Sequence, residues 1–350
     1  MRSPSNYWQW IRRRPRGRSI PPYVTLVAVA LALAVLVLTA ALVIARQPSS
    51  QAGGCAKSPA VSGQGCGVLW GSALAADNSA LPAAVAAQER AEGRPLDIVH
   101  TYHRWYDVFP TVSEQELAAA GHELFLNWEP QGVSGQLMSW ASIAEGAHDQ
   151  QIDALAARLR RLPNDVLLSF SHEPEQKWTQ HGSATDFVAA FRHIHDRMQE
   201  DGATNVRWVW DLMGLTTPVW LARYKQLWPG DEYVDWVGWD PYNADSCEPA
   251  HTWQSFSQTV DPFYKWLEAH GFGDKPFMLG EYGTVEKPGD PSGKADWYAG
   301  IPKALATMPN LKALVYFDVG APPANCNWQI STSGAATRAF DRLAASPAFR

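Results

Sequence analysis

The chain is short of charge and short of cysteine, and each shortage excludes something. Only 18% of its 350 residues are charged, while 46% are hydrophobic. That balance excludes a disordered chain and leaves ample apolar surface for a large core. There are four cysteines and no CxxC pair, which argues against a zinc site. No cofactor motif and no internal repeat occur. Acidic residues are missing altogether from residues 1–50, which hold seven arginines. Taking those seven out of the net charge of −6 leaves −13 for residues 51–350. An acidic body with no basic stretch is a poor partner for nucleic acid.

What is present begins with an uncharged run from Val24 to Ala45. At 1.5 Å rise per residue, 22 residues span the hydrocarbon core of a bilayer. Arg2, Arg12, Arg13, Arg14, Arg16 and Arg18 precede it. The positive-inside rule then puts residues 1–23 in the cytoplasm as a basic tail and the rest outside. The expectation is a retained single-pass signal anchor at 24–45, in the cell membrane. Secretion after signal cleavage is the competing reading, but cleaved signals have shorter apolar cores with a small-residue cleavage site close behind. Residues 46–65, rich in Ser, Gly, Ala and Pro, read as a tether. The remaining 66–350 form the catalytic-sized domain. Outside the membrane disulfides are allowed. Cys55 with Cys66 and Cys247 with Cys326 is the expected pairing out of three arithmetical ones. Nothing demands an oligomer, so a monomer is expected.

Eight β-branched or aromatic runs follow: Val68–Gly71, Leu96–Thr101, Leu124–Asn127, Val166–Ser171, Val206–Asp211, Val234–Asp240, Phe277–Gly280 and Ala313–Phe317. Helical patterns lie between most of them, at Ile152–Leu162, Asp186–Gln199, Thr252–His270 and Ala295–Met308. Repeated βα units predict a parallel sheet, and eight of them predict a closed (β/α)8 TIM barrel. Two runs end abruptly in a carboxylate, at His172-Glu173 and at Gly280-Glu281. Strand C-termini are where such barrels keep their chemistry. A pair of carboxylates from separate strands suits glycoside hydrolysis.

The other strand ends carry Trp70, His100, His103, Trp105, Asn127, Trp128, Glu129, Trp210, Asp211, Asp240, Tyr242, Asn243, Tyr282, Phe317 and Asp318. Aromatic faces stack on sugar C–H faces, so Trp105, Trp128 and Trp178 are expected as sugar platforms. Trp208, Trp236 and Trp266 are expected in the core. His103 and His100 are candidates for lining a cleft. They sit three apart on a strand and so cannot share one face or form a metal pair.

In this order the motifs resemble glycoside hydrolase family 26, retaining β-glycanases with a (β/α)8 fold. The resemblance covers about residues 66–345. It rests on His172-Glu173, on Trp178, on the run from Pro229 to Asn243 with Asp240-Pro241-Tyr242, and on Gly280-Glu281-Tyr282-Gly283. It implies Glu173 as general acid/base and Glu281 as nucleophile. It implies Tyr242 as a donor to the nucleophile and His172 and Trp178 as contacts to substrate; Asp240 and Phe317, from their strand-end positions, are further candidates for substrate contact. Glu175 and Glu129 are set aside as decoys. The eighth strand ends in Tyr316-Phe317-Asp318 where many relatives place a cleft tryptophan. The expected substrate is β-linked polysaccharide, with endo-acting β-1,4-mannan cleavage first. A β-glucanase or β-1,3-xylanase on the same barrel is the alternative, and a barrel that only binds glycan at the cell surface is the rival outside enzymes.

Overall fold

The structure is a computed structural model, and it describes residues 67–247, 251–320 and 326–349. The expected tail 1–23, anchor 24–45, tether 46–65 and Cys55–Cys66 bridge lie outside the described residues. Among the described residues no helix is long and apolar enough to cross a membrane.

Eight parallel strands close into a barrel: β1 Leu69–Leu74, β2 Ile98–Arg104, β3 Glu123–Glu129, β4 Val166–Phe170, β5 Val206–Leu212, β6 Trp236–Trp239, β7 Phe277–Thr284 and β8 Leu311–Asp318. Each pairs with its neighbours in chain order, β8 returns to β1, and Val237 opposite Phe277 closes β6 against β7. All eight expected runs are therefore strands, displaced by two residues at most at their starts. The expected helices are observed at Asp149–Leu159, Ala184–Glu200, Phe256–Ala269 and Gly293–Leu305. Others were not foreseen, including Leu81–Glu92, Val112–Ala120, Pro174–His181 and Gly334–Ala344. These are short or rich in Ala and polar residues, so their apolar period is weak.

Strand side chains alternate between the barrel interior and the helical layer. A closed apolar floor fills the interior with Ile98, Phe125, Leu167, Val209, Trp236, Met278, Ala313 and Val315. Two residues further along each strand the same inward face carries His100, Asn127, Ser169, Asp211, Gly238 and Gly280. The change from apolar floor to polar layer is thus written in the alternation. Phe277, Leu279, Leu124, Leu168 and Trp208 face outward and join the larger core under the helices. Trp208 is in that core as expected, Trp266 packs with Phe263 in it, and Trp236 is in the floor.

Candidate active site

Above the polar layer the strand ends hold the two glutamates. In β7, Met278 and Gly280 face inward and Leu279 and Tyr282 outward, so strict alternation would turn Glu281 away from the barrel mouth. A register shift against β8 between Leu279 and Tyr282 reverses the phase. Such a bulge re-aims a side chain. Glu281 is thereby brought inside, where it is 8% exposed. Tyr242 Oη donates to Glu281 Oε2 at 2.5 Å and Tyr102 Oη donates to Oε1 at 2.7 Å. The Glu281 N–H donates to Asp240 Oδ1 at 2.8 Å. Burial and the nearby Glu281 charge push both phenols well above the usual tyrosine range, so both stay protonated as donors. Each Glu281 oxygen thus accepts one phenol hydrogen bond.

Opposite stands Glu173, just past β4. Ser171 and Glu173 have φ of 52° and 51°, left-handed values that cost a non-glycine residue about 1–2 kcal/mol each. The cost is borne because the segment is tied on both sides. Ser171 N–H donates to the Trp128 carbonyl and Glu173 N–H to the Asp211 carbonyl, each at 3.0 Å. Backbone strain of this kind collects at functional sites. Burial raises the affinity of Glu173 for its proton, His172 opposes that, and the Glu281 charge adds to it. One carboxyl is therefore held toward its acid form beside one that accepts two phenol hydrogen bonds.

His172 is fixed by Glu129, whose Oε1 lies 2.5 Å from Nδ1. Lys177 Nζ completes the group at 2.6 Å from Glu129 Oε2 and 2.6 Å from the His172 carbonyl. Burial works against the Glu129 charge, but His172 and Lys177 outweigh it and hold the carboxyl down at about 2. Burial and Lys177 likewise oppose charge on His172, and Glu129 outweighs both, raising the imidazole. Glu129, set aside in the sequence, is thus part of the site, because it orients the histidine beside the acid. Glu175 is fully buried instead, its Oε1 accepting from Met213 N–H at 2.6 Å.

Burial pushes the Glu175 carboxyl up to about 8 from an ordinary 4.5. A raised carboxyl contributes its full stability below the unfolded value and loses it as pH rises toward the folded one. Glu175→Gln cannot ionise, so it is expected to escape that loss and gain on the order of 3 kcal/mol over the parent near neutrality. Urea unfolding across this range checks it, and a parent curve as flat as the variant's would refute it.

Several expected contacts are corrected by packing. Trp105 and Trp128 are not sugar platforms: they stack on each other at 4.0 Å, are 2% and 1% exposed, and leave no open face. Trp128 lies within β3, and its outward parity places it under the helices. His103 does not line the cleft. It lies on the outer face of β2, stacked on Phe109 and 2.8 Å from buried Glu114. Asp240 is 4% exposed and lies behind the Glu281 backbone, a support for it where a sugar contact was expected. Phe317 stands edge-on to Tyr102 and Tyr242, next to the nucleophile's donors. Trp178 is half-buried on the helix Pro174–His181, with the Arg223 guanidinium 5.6 Å from its ring. Tyr102 was missed. The alternation that separated His100 from His103 also puts His100 and Tyr102 on one face, and that signal would have found it.

The Cys247–Cys326 disulfide is present, spanning 79 residues. It sits in a small cluster with Ala244, Val285 and Trp328, against which Tyr242 and Phe317 pack. Trp328 meets the Tyr242 ring at 4.6 Å. Replacing both cysteines by serine is expected to cost up to about 4 kcal/mol through the loop it closes. Loss of hold on Tyr242 should also lower turnover. Thermal unfolding and kcat together check this, and unchanged kcat with lowered stability would sink the second half.

A parallel eight-stranded barrel with a carboxylic acid on β4 and a phenol-bound carboxylate on β7 defines the class of two-carboxylate (β/α)8 barrels. The sequence profile of glycosyl hydrolase family 26 matches residues 137–301, a stretch that holds both glutamates. Endoglucanase H of Acetivibrio thermocellus is 29% identical over 273 residues, 73% of this chain and 28% of that protein. Beta-1,3-xylanase TXYA of a Vibrio species is 29% identical over 143 residues, 40% of this chain and 28% of its own. The chain therefore spans under a third of the length of these curated relatives. The catalytic domain of a Bacillus sp. JAMB-750 GH26 endo-beta-1,4-mannanase superposes with a TM-score of 0.60 at 16% identity, covering 82% of this chain and 88% of that one. At that identity the likeness speaks for the fold.

Proposed function

We propose that the barrel is a retaining glycoside hydrolase acting on β-linked polysaccharide, with Glu173 as general acid/base and Glu281 as nucleophile. The observation that carries this is the pairing of Glu281, held by Tyr102 and Tyr242, with Glu173, whose hold on its proton the Glu281 charge strengthens. In the first step Glu281 attacks the anomeric carbon while Glu173 gives its proton to the leaving oxygen. The glycosyl ester has no negative charge, so the pull that kept the proton on Glu173 falls. Glu173 is then ionised and takes a proton from the incoming water, and the glycosyl–Glu281 bond breaks. Two inversions give retention.

The favoured substrate is β-1,4-mannan, cleaved internally, on the motif resemblance around His172, Glu173, Trp178, Tyr242 and Glu281. A second reading, β-glucan or β-1,3-xylan, is favoured by the names of the curated relatives, an endoglucanase and a beta-1,3-xylanase. In the same reading the barrel lies outside the cytoplasm, with the apolar run Val24–Ala45 as its anchor. The Cys247–Cys326 bond supports an oxidising location. The test is proton NMR of the first products from mannan, glucomannan, mixed-linkage β-glucan and β-1,3-xylan. The β-anomer appearing first from mannan supports the whole reading, and from another polymer it moves the substrate. The α-anomer first refutes retention, and no product from any polymer refutes the hydrolase.

A further inference from the structure

Directly beneath the site lies a buried carboxyl that the mechanism above does not use. Asp211 ends the inward face of β5 and is 2% exposed. Its side chain lies over the backbones of β6 and β7 at two glycines. A Cβ on Gly238 would stand 2.3 Å from Asp211 Oδ1, and one on Gly280 would stand 2.5 Å from it. Both positions are closed to any side chain while Asp211 is there. Two glycines in the strands that carry Asp240 and Glu281 are thus explained by the seat of this one carboxyl.

Asp240 lies two residues beyond Gly238, the register partner of Asp211, and neither Asp211 oxygen nor Asp240 Oδ2 has a hydrogen-bond partner. Asp240 Oδ1 alone is supplied, by the Glu281 N–H. Two carboxylates with no cation between them cannot hydrogen-bond, because neither has a hydrogen to give. We propose that Asp211 is a positioning residue: it and Asp240 hold one proton between their carboxyls, and that shared proton fixes the Asp240 oxygen on which the Glu281 backbone rests. The surroundings agree. Burial pushes Asp211 up to about 8. Burial, then the charges of Asp211, Glu281 and Glu173, push Asp240 well above its usual range. His172 is the facing group that opposes this at Asp211, and Glu281 and Glu173 support it.

Asp211 also touches the acid, since its carbonyl receives the Glu173 N–H at 3.0 Å. One residue therefore braces the acid by its main chain and the nucleophile by its side chain. This deepens the hydrolase reading and rests on it only for the meaning of turnover, not for the shared proton.

The test is carbon-13 NMR of the full chain with labelled aspartate carboxyls, beside Asp211→Asn and Asp211→Ala. One aspartate carboxyl in the wild type should keep the shift of a protonated acid at neutral pH, and both variants should lose that signal. Asp211→Asn supplies its own amide hydrogen, so exchange of the Glu281 amide proton with solvent should match the wild type. In Asp211→Ala that exchange should be at least about tenfold faster. On any β-glycan the wild type cleaves, kcat should stay within about threefold in Asp211→Asn and fall about tenfold or more in Asp211→Ala, with KM little changed. Aspartates that are all ionised at neutral pH would overturn the shared proton. Equal Glu281 exchange in the two folded variants would overturn the positioning role. If Asp211→Ala does not fold, the wild-type signal and Asp211→Asn exchange still decide. Wild-type protein that cleaves no glycan yet shows the signal and the exchange pattern would fail the hydrolase reading alone.

Discussion

Glu281→Ala is expected to lower kcat by on the order of 10⁴-fold or more, since no covalent intermediate can form without the carboxylate. The fold should gain stability. The Glu281 charge is among the influences that raise Glu173, Asp211 and Asp240, so removing it takes one repulsive anion out of a buried cluster. Glu173 should then give up its proton at lower pH than in the parent. Turnover and thermal unfolding measured on one preparation check the pair of effects. Activity near that of the parent would remove Glu281 from its role. A small anion such as azide fits the hole left by the side chain and attacks from the same face, which yields a glycosyl azide of inverted configuration.

Glu173→Ala is expected to cost about 10²–10⁴-fold, the range of a lost general acid. The deficit should shrink on aryl glycosides whose leaving groups depart without a proton. The alkaline limb of the pH profile should vanish with the side chain. On the proposed mechanism the protonated form does the work in the parent, and burial first and then Glu281 hold that proton against His172. The rate therefore falls as pH rises through the Glu173 titration, and the variant has no such proton to lose. Azide attacking the glycosyl–Glu281 ester returns the original configuration. Opposite anomers from the two variants would distinguish the roles, whereas a Glu173→Ala profile with an unchanged alkaline limb would dismiss Glu173 as the acid.

Both glutamates were legible because a strand that stops in a carboxylate breaks the apolar pattern at one point. The barrel was legible because buried parallel strands read as near-continuous apolar runs. The supporting shell was harder. Glu129 looks like a solvent-facing residue before a proline, and only β3's pairing with β4 brings it to His172. Trp105 and Trp128 were misread because richness in indole marks both cores and sugar clefts. Register, not residue type, decides between them, and Trp128 has outward parity in β3. Asp240 was placed on the correct rim, but the bulge that turns Glu281 inward makes it a backbone acceptor. That bulge is a register effect between β7 and β8 and leaves no mark in either strand alone. Gly238 and Gly280 read as ordinary motif glycines until Asp211 is seen beside them.

Tyr242 and Asn243 pair in register with Gly283 and Thr284, past the point where the barrel wall proper ends. The phenol that serves the nucleophile and the nucleophile itself therefore ride on one short ladder, stiffened on its outer side by Trp328. Glu173 rides elsewhere, tied to β3 and β5. The gap between these two walls is the dimension a sugar ring would occupy, and Asp211 is the residue that reaches both of them.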